Sequence, residues 1–201
     1  MTNTIKNIRI AVIVANELED MEVIIPVDIW RRAGLIVEMV SIEKKNTIVL
    51  QNSLKIYCND TLERINLDQF NAIYLPGGKN GIQKFKDVKN CEKLIKTLIK
   101  FANDKNKWIF SLCAAPTILG ELNLLSNKKI TCHPSHSKLF PSNYIDEGIV
   151  MSQNFITGKS AAWALPFALF IVEVLVDKKT SEEIKKSICY NWEYKAFLDK
   201  K

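Results

Sequence analysis

Apolar residues in this chain fall into short continuous runs separated by longer amphipathic stretches. Residues 8–15 (Ile-Arg-Ile-Ala-Val-Ile-Val-Ala), 36–42, 72–75 and 108–112 are rich in β-branched or aromatic side chains. Such runs read as strands buried on both faces of a sheet. Residues 47–50 and 54–57 read as a small hairpin across Gln51-Asn52-Ser53. Short strands are also read at 129–132, 149–152 and 154–157. Helical spacing marks residues 19–33, closed by Gly34, and then 91–103, 114–122 and 160–176. The last of these is apolar enough to be largely buried. A final helix is read at 181–190, with Ser181 as its N-cap. Strands alternating with helices imply a parallel sheet covered on both faces, an α/β fold. No linker, repeat or biased segment divides residues 1–201, which read as a single domain.

Composition narrows the field. Of 201 residues, 47% are hydrophobic and 25% charged, close to the globular average. No apolar run approaches the roughly 18 residues that span a bilayer, so no membrane is expected. The apolar N-terminal run meets Glu17, Glu19 and Asp20 and reads as a strand, not a leader. The net charge of +6 comes from lysines scattered along the chain. They read as a solvated surface, and no nucleic acid is expected. Five cysteines at long spacings give no disulfide pattern. They fit a reducing, cytoplasmic compartment and are read as thiols.

Two motifs suggest chemistry they cannot perform. The turn after the first strand, Asn16 to Asp20, has no glycine, so it lacks the close backbone approach of a dinucleotide site. Thr157-Gly158-Lys159-Ser160 imitates the end of a phosphate loop, but Gln153 stands where that loop needs its first glycine. Cys132-His133-Pro134-Ser135-His136 gathers soft ligands without the four a structural zinc requires, so no metal is expected.

Four features carry more weight. The strand 108–112 runs into Cys113 and a helix follows at once, past the small residues Ala114 and Ala115. This is a strand–nucleophile–helix elbow, where amide N–H groups and the helix dipole favour thiolate. Gly77 and Gly78 follow the strand 72–75, so the Gly78 and Ala114 amides are candidates for an oxyanion hole. Glu22 shares a helix face with Leu18, Ile25 and Ile29. It is either a buried acid of raised pKa or a partly exposed one near a helix start. His133 is either a general base or a hydrogen-bonded loop residue. Apolar residues on this helix, Trp30 among them, exceed one face and suggest a second burial surface.

With these residues in place, the chain resembles the PfpI superfamily, in the branch of the Parkinson-disease protein deglycase. The matching segments begin at Asn16-Glu-Leu-Glu-Asp-Met-Glu22 and continue through Leu75-Pro-Gly-Gly78, Leu112-Cys-Ala-Ala-Pro116, Thr131-Cys-His-Pro134 and Phe167-Ala-Leu-Phe-Ile-Val-Glu173. The resemblance implies a flavodoxin-like three-layer sandwich, a homodimer and no cofactor. It implies Cys113 as nucleophile, Glu22 as the acid beside it, His133 as pocket histidine, and Gly78 and Ala114 as oxyanion donors. Gly77 and Lys159 are implied at the substrate. It further implies cysteine-dependent glyoxalase or deglycase activity on small 2-oxoaldehydes, or alternatively a redox sensor or chaperone using an oxidisable cysteine. Two departures stand out: Ala115 replaces a glycine and Lys159 an arginine. Asp28, Arg31 and Arg32 match the dimer-facing side of the family's first helix. The segment after about residue 180 is the least family-like. A peptidase or amidotransferase relative would need a histidine beside the nucleophile, and Ala114 stands there.

Overall fold

The computed structural model describes residues 7–191 and 196–198. Five parallel strands form the centre of the sheet: β1 (Arg9–Val14), β2 (Ile36–Ser41), β6 (Ala72–Leu75), β7 (Trp108–Leu112) and β9 (Phe155–Gly158). β3 (Thr47–Val49) and β4 (Lys55–Tyr57) pair antiparallel as the separate hairpin expected. β5 (Asp60–Thr61) extends one edge. The other edge is β8 (Ile149–Ser152), antiparallel to β9, followed by β10 (Ala196–Leu198). The eight-stranded order is β10-β8-β9-β7-β6-β1-β2-β5. After β1 the chain builds outward through β2, then returns to the other side of β1 with β6. The reversal between β1 and β6 is the kind of switch point where α/β sheets bind ligands.

The helices are α1 (Asp20–Arg32), α2 (Gly81–Lys84), α3 (Val88–Ala102), α4 (Pro116–Glu121), α5 (Ala164–Leu175) and α6 (Lys178–Ser187). They cover both faces of the sheet, as the alternation implies. None is long and apolar enough among the described residues to cross a membrane.

Several boundaries move for identifiable reasons. Residues 129–132 make only an isolated bridge, Ile130 to Tyr144, instead of a strand. The last helix starts earlier than read, because Asp177 and not Ser181 accepts the capping N–H, from Thr180 at 2.7 Å. Ser181 is instead buried and donates to the Leu169 carbonyl at 3.1 Å. α3 also starts earlier, capped by Asp87. The family-like phosphate-loop imitation is strand end: a Cβ on Gly158 would come 2.2 Å from Leu112 Cδ1, so glycine serves the packing of β9 on β7.

Trp30 corrects one expectation. It is fully buried, with its indole N–H donating to the Ala168 carbonyl at 3.1 Å. Its ring meets Tyr74 edge-on at 5.1 Å, and Tyr74 in turn lies 5.8 Å from Phe167. Trp30 therefore joins α1 to α5 and β6 within the chain and offers nothing to a second surface. The apolar residues of α1 that stay exposed are Met21 and Ile24. Arg31 and Arg32 are exposed and bond within the chain, to the Val37 carbonyl and to Asp28.

Tyr74 has a second task. Pro26 lies inside α1 and has no N–H to offer the Glu22 carbonyl four residues earlier. The Tyr74 hydroxyl donates to that carbonyl at 2.8 Å, in a fully buried setting. Tyr74→Phe is expected to leave the carbonyl unsatisfied and to cost about 1–3 kcal/mol, read as a lower urea midpoint at unchanged m-value. An unchanged midpoint would show that another group takes over the carbonyl.

Candidate active site

The site lies at the carboxyl ends of three neighbouring strands, β1, β6 and β7. Cys113 follows β7 directly and has φ of 61°, a left-handed conformation that costs a non-glycine residue of order 1–2 kcal/mol. Two backbone bonds impose it: Cys113 N–H to the Gly158 carbonyl at 2.9 Å, and Ala115 N–H to the Leu112 carbonyl at 3.0 Å. The chain thus reverses on the cysteine and turns its side chain toward a pocket, the strained elbow that the residue order suggested. Ala115 itself is ordinary right-handed backbone, φ −62° and ψ −30°, so this turn has no need of a glycine at that position.

Glu22 is fully buried. Glu19 caps α1 by accepting the Glu22 N–H at 2.9 Å, which sets the carboxyl-bearing turn. Glu22 Oε2 accepts the Gly77 N–H at 2.7 Å, while Oε1 is buried without a hydrogen-bond partner. Gly77 has to be glycine: a Cβ there would lie 2.7 Å from Glu22 Oε2, 2.8 Å from the Leu112 carbonyl and 2.9 Å from Cys113 Cβ. Those three distances also show how tightly the carboxyl and the cysteine converge. Gly78, with φ of 121°, is equally constrained, since a Cβ would meet Glu19 N at 2.6 Å.

Burial raises the Glu22 pKa to about 7, against the opposing hydrogen bonds from Cys113 and Gly77. Burial also pushes the Cys113 thiol up, and the charge and hydrogen bond of Glu22 add to this. The Ala114 N–H opposes them by favouring the thiolate. The expectation of a thiol with depressed pKa is therefore corrected: α4 begins only at Pro116, and desolvation outweighs the amide. A thiolate beside an ionised Glu22 is doubly unfavourable. Below about pH 7 both groups hold their protons; above it Glu22 loses its own while the thiol stays protonated, and a thiolate forms at least cost when its proton passes to Glu22.

These residues open on a pocket of about 540 Å³ lined by Cys113, Glu22, Gly78, Ala114 and His133, together with Glu19, Gln51, Lys79, Ser135, His136 and Ser160 to Ala162. Gly77 holds Glu22 from behind and is not part of that lining. Lys159 is not brought in either; its ammonium pairs with Asp146 at 2.6 Å. Gln51 and Lys79 carry no signal in the sequence, while Ser135 and His136 are visible there only as part of the ligand-like cluster with His133. Among the described residues no three His, Cys, Asp or Glu side chains converge to hold a metal. Cys132 is buried, and its pKa is raised to about 12 by desolvation.

Residues 8–174 match the DJ-1/PfpI family. The chain belongs to that family. Protein DJ-1 homolog A of Arabidopsis thaliana is 34% identical over 181 residues, which cover 89% of this chain and 45% of the plant protein. The chain therefore spans less than half the length of that relative. Protein dj-1beta of Drosophila melanogaster is 30% identical over 185 residues, covering 90% of this chain and 97% of the fly protein. The crystal structure of Drosophila DJ-1beta superposes with a TM-score of 0.83 at 28% identity, covering 93% of this chain and 100% of the fly chain. Oxidized Toxoplasma gondii DJ-1 gives 0.86 at 24% identity, covering 92% of this chain and 100% of the parasite chain, a likeness of fold. The DJ-1/PfpI fold of this chain is thus flavodoxin-like, as its sequence implied.

The raised acid makes stability pH-dependent. Between pH 4.5 and about 7 the folded protein keeps the Glu22 proton while the unfolded chain releases it. Stability contributed by this group is full below that window and falls as pH rises through it. The shift corresponds to roughly 3 kcal/mol at 1.36 kcal/mol per pKa unit. Urea unfolding of wild type and Glu22→Gln across the window is expected to show this extra downward slope in wild type alone. Parallel curves would mean that Glu22 ionises normally.

Proposed function

We propose that the protein is a cofactor-independent glyoxalase that converts small 2-oxoaldehydes such as methylglyoxal to 2-hydroxy acids. The observation that carries this reading is the buried Glu22 carboxyl converging with Cys113 at the floor of the pocket. The reaction oxidises the aldehyde carbon and reduces its neighbour within one molecule, so no external electron acceptor enters.

The Cys113 sulfur, as thiolate beside protonated Glu22, attacks the aldehyde carbon. A C–S bond forms, the carbonyl π pair moves to oxygen, and that oxygen takes the proton of the pair, giving a hemithioacetal. The Gly78 and Ala114 amides stabilise the oxyanion as it develops. A proton then leaves the former aldehyde carbon and is returned to the adjacent carbon, while the hydroxyl proton on the first oxygen passes to the second, giving a thioester of the 2-hydroxy acid. Glu22 and His133 are the two groups available to carry it. Water cleaves the thioester, releases the hydroxy acid and restores the thiol. Early protein adducts of the same aldehydes are a second substrate class for this chemistry, the deglycase form of the activity. The redox-sensor alternative uses the same cysteine without turnover.

Lactate formation from methylglyoxal separates these readings. Purified wild type is expected to turn over, and Cys113→Ser to keep less than about a tenth of the rate, one tenfold step in transition-state stabilisation, while its circular dichroism is unchanged. A serine variant above that level would move the nucleophile elsewhere, and a wild type without lactate would leave the sensor reading.

We further propose a cytoplasmic homodimer joined through α1, where Met21 and Ile24 are 46% and 36% exposed. Light scattering at micromolar concentration is expected to give twice the chain mass and Ile24→Lys a single one. A monomeric wild type sinks the dimer.

A further inference from the structure

The pocket histidine is held in an informative way. The His133 N–H donates to the Cys113 carbonyl at 2.7 Å, which ties the residue to the elbow. Pro134 follows, and residues Pro134–Leu139 form a short 3-10 turn that His133 caps. The imidazole folds back onto this turn. Its Nδ1 lies 2.7 Å from Ser135 Oγ and accepts the Ser135 backbone N–H at 3.3 Å. A peptide N–H can only donate, so Nδ1 presents its lone pair and the hydrogen of the neutral ring sits on Nε2.

We propose that Ser135 is a positioning residue that locks His133 in the Nε2–H tautomer, so that His133 donates a hydrogen bond to a carbonyl oxygen of the bound oxoaldehyde and Glu22 alone carries the proton between carbons. The first half of this inference is independent of the reaction; the second half rests on the glyoxalase reading.

Three observations converge on it. A neutral His133 acting as base would need a free lone pair on Nε2, hence a hydrogen on Nδ1, which would forfeit the bond from the Ser135 N–H and leave only the hydroxyl oxygen to accept it. Glu22, in contrast, has a buried oxygen, Oε1, that accepts no N–H or O–H bond, and a pKa near neutrality, so it can take and return a proton. His133 is exposed, and beside the edge of the His136 ring the Ser135 contacts are what hold its imidazole. His136, its ring centre 6.3 Å away, also lines the pocket and has its own pKa lowered by burial and by His133 and Lys86.

The chain has only two histidines, which makes the tautomer directly readable. Imidazole nitrogens of the full-length protein are recorded by 15N NMR at alkaline pH, with His136→Gln used for assignment. The expected pattern for His133 is a pyridine-type Nδ1 and a pyrrole-type Nε2. Ser135→Ala is expected to draw the two resonances toward each other and to lower kcat about tenfold, the worth of one hydrogen bond, with KM changed less because the donated bond strengthens in the transition state. Ser135→Thr, which keeps the hydroxyl, is expected to restore both readouts. A hydrogen on Nδ1 in wild type overturns the proposal. So does a Ser135→Ala variant with unaltered His133 resonances and unaltered kcat. A wild type that shows the expected tautomer, with the alanine shift, but makes no lactate sustains the positioning role and overturns the catalytic use of it.

Discussion

A carboxyl group buried without a cation is the constraint around which this structure is arranged. Taking a carboxylate out of water is costly, and the usual remedies are a partner charge or neutralisation. Glu22 has no cation among its influences: Gly77 and Cys113 supply hydrogen bonds, and Glu19 adds like charge. Neutralisation therefore dominates, and the proton it brings is what permits a thiolate alongside. The immediate surroundings are shaped by the same group. Gly77 lacks a side chain because the carboxyl occupies that space, and Pro26 frees the Glu22 carbonyl for Tyr74. Tyr74 then ties α1 to the aromatic contacts with Trp30 and Phe167.

Sheet register explains why residues so distant in sequence meet. Leu75 is level with Ser111 across β6 and β7, so two residues further on Gly77 and Cys113 leave the sheet side by side. Val12 is level with Tyr74 across β1 and β6, which brings the start of α1 over the same edge. The switch point between β1 and β6 opens the crevice there. The left-handed turn at Cys113 is sustained by flanking backbone bonds to Gly158 and Leu112, so the strained residue is fixed from its own strand and from neighbouring β9.

Much of this was legible because buried parallel strands leave an unmistakable mark: apolar runs with chemistry placed at their ends. Cys113, Gly77 and Gly78 stand just beyond such runs and Glu22 on the first turn of a helix, while His133 caps a short 3-10 turn. What escaped depends on partners remote in sequence. β5 and β10 are two and three residues long, too short for any period. Trp30 looks surplus on a helix wheel, and only the arrival of α5 with the Ala168 carbonyl makes it core. Asp177 competes with Ser181 for the same cap, and the Leu169 carbonyl decides between them by engaging Ser181. Lys159 takes an arginine's place in the family pattern, yet Asp146, thirteen residues earlier, draws it out of the pocket.

The thiol shows where a local rule gives way to a larger effect. An elbow cysteine beside a helix start is normally read as acidic, and the Ala114 N–H does act in that direction. Desolvation and Glu22 act the other way and prevail, because the sulfur sits half-enclosed over a buried acid while α4 starts three residues later. The consequence is chemical. A thiol made acidic by a helix alone would be anionic at all times and open to any electrophile. A thiol kept protonated by its surroundings becomes anionic by passing its proton to Glu22, so the thiolate arises together with a proton donor. Nucleophile and acid are then produced by one proton transfer, which suits a reaction that adds sulfur to a carbonyl carbon and a proton to its oxygen.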